Sequence, residues 1–148
     1  MAFRYRLESL LRLQRGIERQ EENRLLACVA HIAGLTARLH EWELSRITRQ
    51  NAACAECAQG APAAVLQQAV EWDRAAGELE RNIRGELIRA EADRQKQLQK
   101  YQAARQKREI LESLRDRQES EYRNSQLREM QEVLDEAFLL RLFHAQSH

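Results

Sequence analysis

The stretch Ala58-Gln59-Gly60-Ala61-Pro62 is the strongest interruption of helix-forming sequence along the chain. Pro62 is the single proline, and Gly60 is one of only five glycines. Glycine suits the left-handed residue that ends a helix, and proline suits the first turn of a helix, where its missing amide hydrogen costs nothing. The stretch therefore predicts a turn between two helices.

On both sides of this turn the composition favours helices. Leu, Ala, Glu, Arg and Gln dominate, whereas the aromatic residues that suit strands make up only 5% of the 148 residues. Charged residues make up 32% of the chain, and much of the apolar 43% is Ala, so a narrow seam between helices is favoured over a thick core. We predict an all-α fold.

The predicted architecture is a long antiparallel two-helix coiled-coil hairpin, with the second helix longer than the first. Helix 1 is expected at about residues 3–57, the turn at about 58–62 and helix 2 at about 63–143, within one elongated coiled-coil domain over residues 1–148. In an antiparallel pair joined by a short turn, facing residue numbers add up to about 120. Phe3 is then expected near Arg117.

Large apolar residues of the first helix recur at spacings of three and four. The first row consists of Phe3, Leu7, Leu10 and Ile17, with Gln14 between the last two, and continues through Cys28, Ile32, Leu35, Leu39 and Trp42. A second row consists of Leu11, Leu25, Ile32 and Leu39. Because the stripe drifts around the helix, the pattern predicts imperfect, weakly supercoiled packing.

The end of the second helix is apolar although the first helix is too short to cover it. From about Gln118 onward this part of the chain carries Tyr122, Leu127, Met130, Val133, Leu134, Phe138, Leu139, Leu140, Leu142 and Phe143. An exposed apolar stripe of that length predicts a partner.

Several residue types that carry chemistry occur without a supporting pattern. Cys54 and Cys57 have the spacing of a redox dithiol or half a zinc site, and Cys28 with His31 forms a second pair of ligand types. Along one helix these pairs lie about 39 Å apart, so one monomer cannot close a site around one metal. We expect Cys28 to fill the seam, Cys54 and Cys57 to pack at the helix end, and no metal or cofactor to be bound.

The chain also lacks the marks of an enzyme. The histidines are dispersed, at positions 31, 40, 144 and 148, and no glycine-rich phosphate loop or nucleophile turn accompanies them. We therefore expect no catalytic residues.

The charges are nearly balanced, with 24 Lys and Arg against 23 Asp and Glu, so the whole-chain field does not favour nucleic acid or an acidic membrane surface. The densest basic stretch comprises Arg94, Lys96, Lys100, Arg105, Lys107 and Arg108. Acidic residues interleave with it, which favours a solvated helix face over a nucleic-acid contact. No run approaches about 18 apolar residues, and we expect a cytoplasmic protein.

Two features of the helices allow two interpretations each. Gly34 and Gly85 are expected to face one another, either to permit close helix approach or simply because long helices tolerate glycine. Trp42 and Trp72 lie near the turn, and Trp72 shares a stripe with Ala76, Leu79 and Ile83. These residues are either part of the seam or a patch that binds a partner.

Both ends of the chain resemble one known family. The opening Phe3-Arg4-Tyr5-Arg6-Leu7-Glu8-Ser9-Leu10-Leu11-Arg12-Leu13 is similar to the start of the flagellar export protein FliJ family. The distal Lys107-Arg108-Glu109-Ile110-Leu111-Glu112-Ser113-Leu114, followed by Tyr122 and Val133-Leu134-Asp135-Glu136-Ala137, resembles the same family. The resemblance covers essentially the whole chain.

The resemblance implies a stalk-like coiled coil whose terminal segments insert into the hexameric ring of the flagellar export ATPase FliI and stimulate it. The residues implied in binding the ATPase ring are Phe3, Leu7, Leu10, Met130, Leu134, Ala137 and Phe138. Those implied in binding the export gate protein FlhA, near the turn, are Trp42, Trp72, Ala76, Leu79 and Ile83. The family is also implicated in escorting export chaperones, and its membrane association runs only through the export apparatus at the flagellar base.

Other functions fit the same sequence pattern. The first is the stalk of a related injectisome or rotary ATPase. The second is a structural homodimer joined through the uncovered end of the second helix, and the third is a nucleic-acid-binding helix.

Overall fold

The structure, a computed structural model, describes residues 2–147 and consists of two helices. Helix α1 spans Glu8–Ala58 and helix α2 spans Ala63–Gln146, with lengths of 51 and 84 residues. The helices pack against each other as in a hairpin, and no strand occurs among the described residues. The predicted all-α fold with a longer second helix is confirmed.

The turn forms as the glycine and the proline predict. Gly60 has a φ of +81° and donates its amide hydrogen to the Cys57 carbonyl at 3.1 Å. The amide of Ala61 donates to the Glu56 carbonyl at 3.1 Å, which completes a Schellman cap on α1. Pro62 lies immediately before α2, where its carbonyl accepts an amide hydrogen bond of 3.0 Å from the first turn of α2.

Helix α1 begins at Glu8, later than the predicted start near Phe3. The residues ahead of it lie outside the helix and place two aromatic rings on α2. Tyr5 is buried and its hydroxyl donates to the Leu111 carbonyl at 3.0 Å, while the Phe3 ring lies 5.7 Å from the Tyr122 ring. Phe3 therefore contacts Tyr122, farther along α2 than the expected position, because a non-helical segment reaches farther per residue than a helix does.

The chain divides into two compact units, each containing part of both helices. One unit is made of the residues up to Glu18 together with those from Ala103 onward, and the other is Arg19–Gln102.

Within the Arg19–Gln102 unit, most of the covered side chains follow a seven-residue repeat. In α1 the buried and half-buried positions of this repeat are Glu21, Leu25, Cys28, Ile32, Leu35, Leu39, Trp42 and Arg46. In α2 they are Ala76, Glu80, Ile83, Leu87, Ala90, Arg94, Gln97 and Tyr101. The predicted drift of the stripe is therefore wrong. Small and polar residues hold many of the repeat positions, so large apolar residues alone do not reveal the repeat.

The other unit contains the best-buried side chain, Leu11, with 0% of its surface exposed. Leu11 lies in the same compact unit as Ala104, which is buried, and Leu111, which is half-buried. Leu7 and Leu10 are 36% and 40% exposed, so the predicted first row of the seam is wrong at this end. Tyr5 is buried ahead of the helix, and the first buried residue of α1 is Leu11.

Close helix approach does not explain the paired glycines Gly34 and Gly85. A methyl group added to either residue would meet no atom within 4 Å apart from its chain neighbours and the backbone of its own helix. Both residues lie in regular helix, with no positive φ. They are sites at which the helices tolerate glycine.

We expect Gly34→Ala and Gly85→Ala each to raise the free energy of unfolding by about 1 kcal/mol, because alanine loses less backbone entropy in a helix. Gly60→Ala should instead lower it by about 1–2 kcal/mol, because a side chain is strained at the left-handed φ. Urea unfolding followed by circular dichroism measures all three. A loss of stability in Gly34→Ala would show that the helix needs glycine there.

Candidate functional site

The last part of α2 is not covered by any other part of the described chain. Every residue from Arg123 to Ser147, here called the tail, is exposed. Its large apolar side chains are Leu127, Met130, Val133, Leu134, Phe138, Leu139, Leu140, Leu142 and Phe143. The uncovered apolar stripe agrees with the expectation from the sequence, but it starts after Tyr122, which the Phe3 ring still contacts.

Several apolar side chains of the tail share one side of α2, here called the tail face. It consists of Leu127, Met130, Leu134, Ala137 and Phe138. At about 100° per residue, Leu127 lies about 160° around the helix from Leu111 and about 140° from Tyr122. Leu111 and Tyr122 are contacted by Tyr5 and Phe3, which precede α1. The tail face therefore lies on a different side of α2 from the seam.

The charged residues of the tail are segregated from the tail face. Those on the opposite side are Arg128, Glu129, Glu132, Asp135 and Glu136. Each lies at least about 80° around the helix from Leu127. Arg123 and Arg141 are exceptions, because they lie about 40° from Leu127 and about 20° from Leu134, respectively, and thus on the tail face. The segment is an amphipathic helix whose apolar side is free to bind another protein surface.

The residues implied in binding an ATPase ring fall into two groups. Met130, Leu134, Ala137 and Phe138 are all exposed on the tail face. Leu7 and Leu10 are partly exposed at the start of the chain, in the same compact unit as the tail, whereas Phe3 is half-buried against Tyr122. Six of the seven residues are therefore accessible, and Phe3 packs against α2.

The two tryptophans form a second feature, near the turn. The Trp42 and Trp72 rings lie 6.1 Å apart at 38°, and the Arg49 guanidinium lies 4.3 Å from the Trp72 ring centre. The Trp42 indole nitrogen donates to the Ala76 carbonyl at 3.1 Å. We call these three residues, Trp42, Trp72 and Arg49, the tryptophan cluster. The small side chain of Ala76 lets the indole reach the backbone of α2.

The residues implied in binding an export gate are not equally accessible. Ala76 and Ile83 are buried in the seam, whereas Leu79 is exposed. Trp42 and Trp72 are half-buried. Leu79 and Trp42 line a shallow groove with Arg38, Glu41, Ser45 and Ile83. A partner that binds here contacts Leu79 and the tryptophan edges, while Ala76 and Ile83 hold the helices together.

A network of ion pairs crosses between the helices beside the tryptophan cluster. Arg46 contacts Asp73 at 2.8 Å and Glu80 at 2.6 Å. Arg84 contacts Glu80 at 2.8 Å and Glu43 at 2.9 Å. Sequence reasoning missed the network because Arg46 stands at a position where an apolar residue is expected. The charge of Arg46 at this position could have indicated that an acidic residue of α2 faces it.

These contacts lower the pKa values of the carboxylates. The hydrogen bond from Arg46 holds the pKa of Asp73 below its usual value, and the hydrogen bond from Arg84 does the same for Glu80. A carboxylate whose pKa is lower in the folded state stabilises the fold above its unfolded pKa. That stabilisation is lost as the pH falls through the folded pKa.

The free energy of unfolding should therefore decrease below about pH 4, near the unfolded pKa values of Asp and Glu. In Arg46→Met the decrease should be smaller, because Asp73 loses its main partner and Glu80 loses one of two. Thermal unfolding measured from acidic to neutral pH tests this. Identical pH profiles for the two proteins would show that Arg46 does not stabilise the carboxylates.

In the part of the chain that the structure describes, the cysteines and histidines form no candidate site. Cys28 is half-buried on the seam, as expected, but Cys54 and Cys57 are exposed rather than packed at the helix end. Near the turn, half-buried Ala53 lies on the covered side of α1, and the neighbouring Cys54 does not. Within residues 2–147, no three side chains of Cys, His, Asp or Glu are grouped to hold a metal.

The three arginines of the basic stretch of α2 pair with acidic residues. Arg94 contacts Glu91 at 3.1 Å, and Arg105 contacts Glu109 at 2.9 Å. Arg108 contacts Glu18 of α1. The lysines Lys96, Lys100 and Lys107 are exposed. These ion pairs favour a solvated helix face over an anion-binding surface.

In residues 2–147, neither helix has a stretch long and apolar enough to cross a membrane. No family model, characterised protein or solved structure matches the chain. Its function is therefore inferred from its own residues.

Proposed function

We propose that the chain is a component of flagellar type III protein export. In this role it is a stalk-like coiled coil that binds and stimulates the export ATPase ring, couples the ring to the export gate and escorts export chaperones. It acts in the cytoplasm at the inner face of the cell membrane, at the flagellar base. The observation that carries the proposal is the tail face, an uncovered apolar surface on the longer of two paired helices.

The tail face suits docking against another protein. Each large side chain that moves from water into a partner contributes about 1.5–3 kcal/mol before ordering costs. The tail is already helical, so little backbone ordering is needed on binding. The resemblance of Phe3–Leu13 and Val133–Ala137 to the export stalk family connects this surface with an ATPase ring.

A coupling factor also needs a second surface for its other partner. The tryptophan cluster with Leu79 offers aromatic and apolar groups near the turn, and it belongs to the other compact unit. Amphipathic aromatic side chains and arginine are the groups that dominate protein interfaces. This is the surface that we assign to the export gate.

The proposal is tested by adding the purified chain to the purified export ATPase and measuring ATP hydrolysis and co-elution. We expect saturable stimulation and a stable complex. Ile88→Ser, which changes an exposed apolar residue of the other unit, is the control and should stimulate equally. Absence of both binding and stimulation at micromolar concentrations would contradict the proposal.

A further inference from the structure

The side of α1 that faces away from the seam is uncharged over most of its length. Its apolar and small residues recur three or four positions apart, and all of them are exposed. At about 100° per residue they share a sector of about 80°, which lies at least about 120° around α1 from buried Leu35. This surface is here called the outer face, and it consists of Leu26, Val29, Ala33, Ala37, His40, Leu44 and Ile47.

Charged residues avoid the outer face although they make up 32% of the chain. Between Asn23 and Ala58, Glu41 and Glu43 lie nearest to it, each about 40° beyond an edge of the sector. An uncharged stripe with exposed leucine, isoleucine and valine is typical of a surface that contacts another helix. The outward side of α2 in the same compact unit is charged instead, with exposed Arg74, Glu78, Arg81 and Lys96.

We infer that the outer face of α1 binds the outer face of a second copy of the chain, with the two α1 helices antiparallel. The inference does not rest on the proposed function, because the outer face shares no residue with the tail face or the tryptophan cluster. Leu35 and the rest of the seam lie on a different side of α1, so the second copy can bind while α2 stays in place. Both copies use the same surface, so the contact is isologous and closes at two copies.

The outer face is complementary to itself about a two-fold axis beside residues 36 and 37. Every residue of the outer face then meets another residue of the same face, except Ala37, which meets exposed Thr36. Large side chains meet in the layers away from the axis, and small side chains meet at the axis, where they allow the helices to approach closely. The facing pairs are Leu26 with Ile47, Val29 with Leu44, Ala33 with His40, and Thr36 with Ala37.

The residues at the ends of the outer face favour the antiparallel direction. Glu22, one turn before Leu26, is exposed and lies in the same sector of α1. In the antiparallel pair it faces Asn51 of the second copy, whose side-chain amide can donate a hydrogen bond to the carboxylate. A parallel pair would instead bring the two Glu22 carboxylates together, where like charges repel.

Other charged residues of α1 keep apart from their own kind in the antiparallel pair. The two Glu41 residues lie about 14 Å apart along the helix axis, and the two Glu43 residues lie about 20 Å apart. Glu43 also accepts a hydrogen bond of 2.9 Å from Arg84 of its own copy. Arg19, the next charged residue beyond Glu22 on this side of α1, faces Cys54. The two copies therefore approach without like charges between them.

The area of the outer face is sufficient for a specific but reversible contact. Leu26, Val29, Leu44 and Ile47 are 59%, 46%, 52% and 53% exposed. Together with the smaller residues of the outer face they present roughly 600 Å² per copy, or about 1,200 Å² for two copies, the lower limit for stable protein interfaces. The dimer should therefore dissociate on dilution.

Sedimentation velocity of the full chain over a concentration series tests the association. We expect a monomer at low concentration and a dimer at high concentration. Leu44→Glu places a charge in two symmetry-related layers and should raise the dissociation constant about a hundredfold or more, with unchanged circular dichroism. Ile88→Glu, at an exposed apolar residue of α2 in the same unit, and Leu134→Glu, on the tail face, should both dimerise like the parent.

Three results of this experiment overturn the proposal. The first is a parent chain that is monomeric at all concentrations. The second is a Leu44→Glu variant that dimerises like the parent. The third is loss of the dimer in Leu134→Glu, which would show that the contact lies on the tail.

Crosslinking tests the direction. In a variant with Cys28, Cys54 and Cys57 replaced by Ala, a cysteine is introduced at Ala37 or at Asn51. The antiparallel pair brings the two Ala37 positions to about 2 Å along the axis and separates the two Asn51 positions by about 44 Å. A short bismaleimide should therefore link Ala37→Cys in preference to Asn51→Cys. Equal or stronger linking of Asn51→Cys would overturn the antiparallel arrangement.

Discussion

Replacing Leu134 and Phe138 together by Ser should abolish binding and stimulation of the export ATPase while the hairpin remains folded. Both side chains project from the tail face and are 59% and 62% exposed, so the fold loses almost nothing when they are shortened. We expect the free energy of unfolding to change by about 1 kcal/mol or less, the difference in helix propensity. Binding should weaken by about 3–6 kcal/mol, because two apolar side chains are lost from the contact.

The matched control is a double variant at two other exposed apolar residues. Ile88→Ser with Ile110→Ser removes similar apolar area outside the tail, so it should leave ATPase stimulation unchanged. Titration calorimetry and steady-state ATP hydrolysis measure the difference, and cell motility reports it in vivo. Normal stimulation by the Leu134 and Phe138 variant would exclude the tail face as the binding surface. Unfolding of that variant would mean that the tail belongs to the core of the protein.

Leu11→Ala should strongly destabilise the fold. Leu11 is the only large side chain with no exposed surface among the described residues. Its truncation should lower the free energy of unfolding by about 2–4 kcal/mol through lost burial and the cavity that remains. The neighbouring Leu10 is 40% exposed, so Leu10→Ala should cost about 1 kcal/mol or less.

Chemical unfolding of the two variants at the same protein concentration distinguishes these effects. The pair is informative because the residues are identical, adjacent and in the same helix, and they differ only in burial. Equal losses of stability would show that the seam of α1 runs between Leu10 and Leu11 and not through Leu11.

The sequence determined the helices, their order and the turn. Gly60 alone can adopt the φ of +81° without strain, and Pro62 cannot continue α1, so the break is a local property of these residues. The excess length of α2 and the uncovered apolar tail also followed from counting residues, because helix length is proportional to residue number. These features depend on residues that are close together in the sequence, so they can be predicted from it.

Only the tertiary structure decided which side of each helix is covered. Sequence reasoning placed Leu7 and Leu10 in the seam, whereas Leu11 occupies it, because Tyr5 leaves the helix to reach the Leu111 carbonyl. It likewise treated Ala76 as a candidate for partner binding, although this residue is buried. A shift of one residue rotates a side chain by about 100° around a helix, so small contacts far apart in sequence decide burial.

The ion pairs between the helices also could not be predicted from the sequence alone. Arg46, Asp73 and Glu80 look like solvated surface charges in the sequence, yet Arg46 and Glu80 occupy repeat positions of the seam, and Asp73 pairs with Arg46. Their long side chains cover the seam with methylene groups while the charges pair between the helices. The sequence by itself therefore determined the local helical structure and the exposed tail. The tertiary structure determined the register, because register depends on which distant side chains fill the space between α1 and α2.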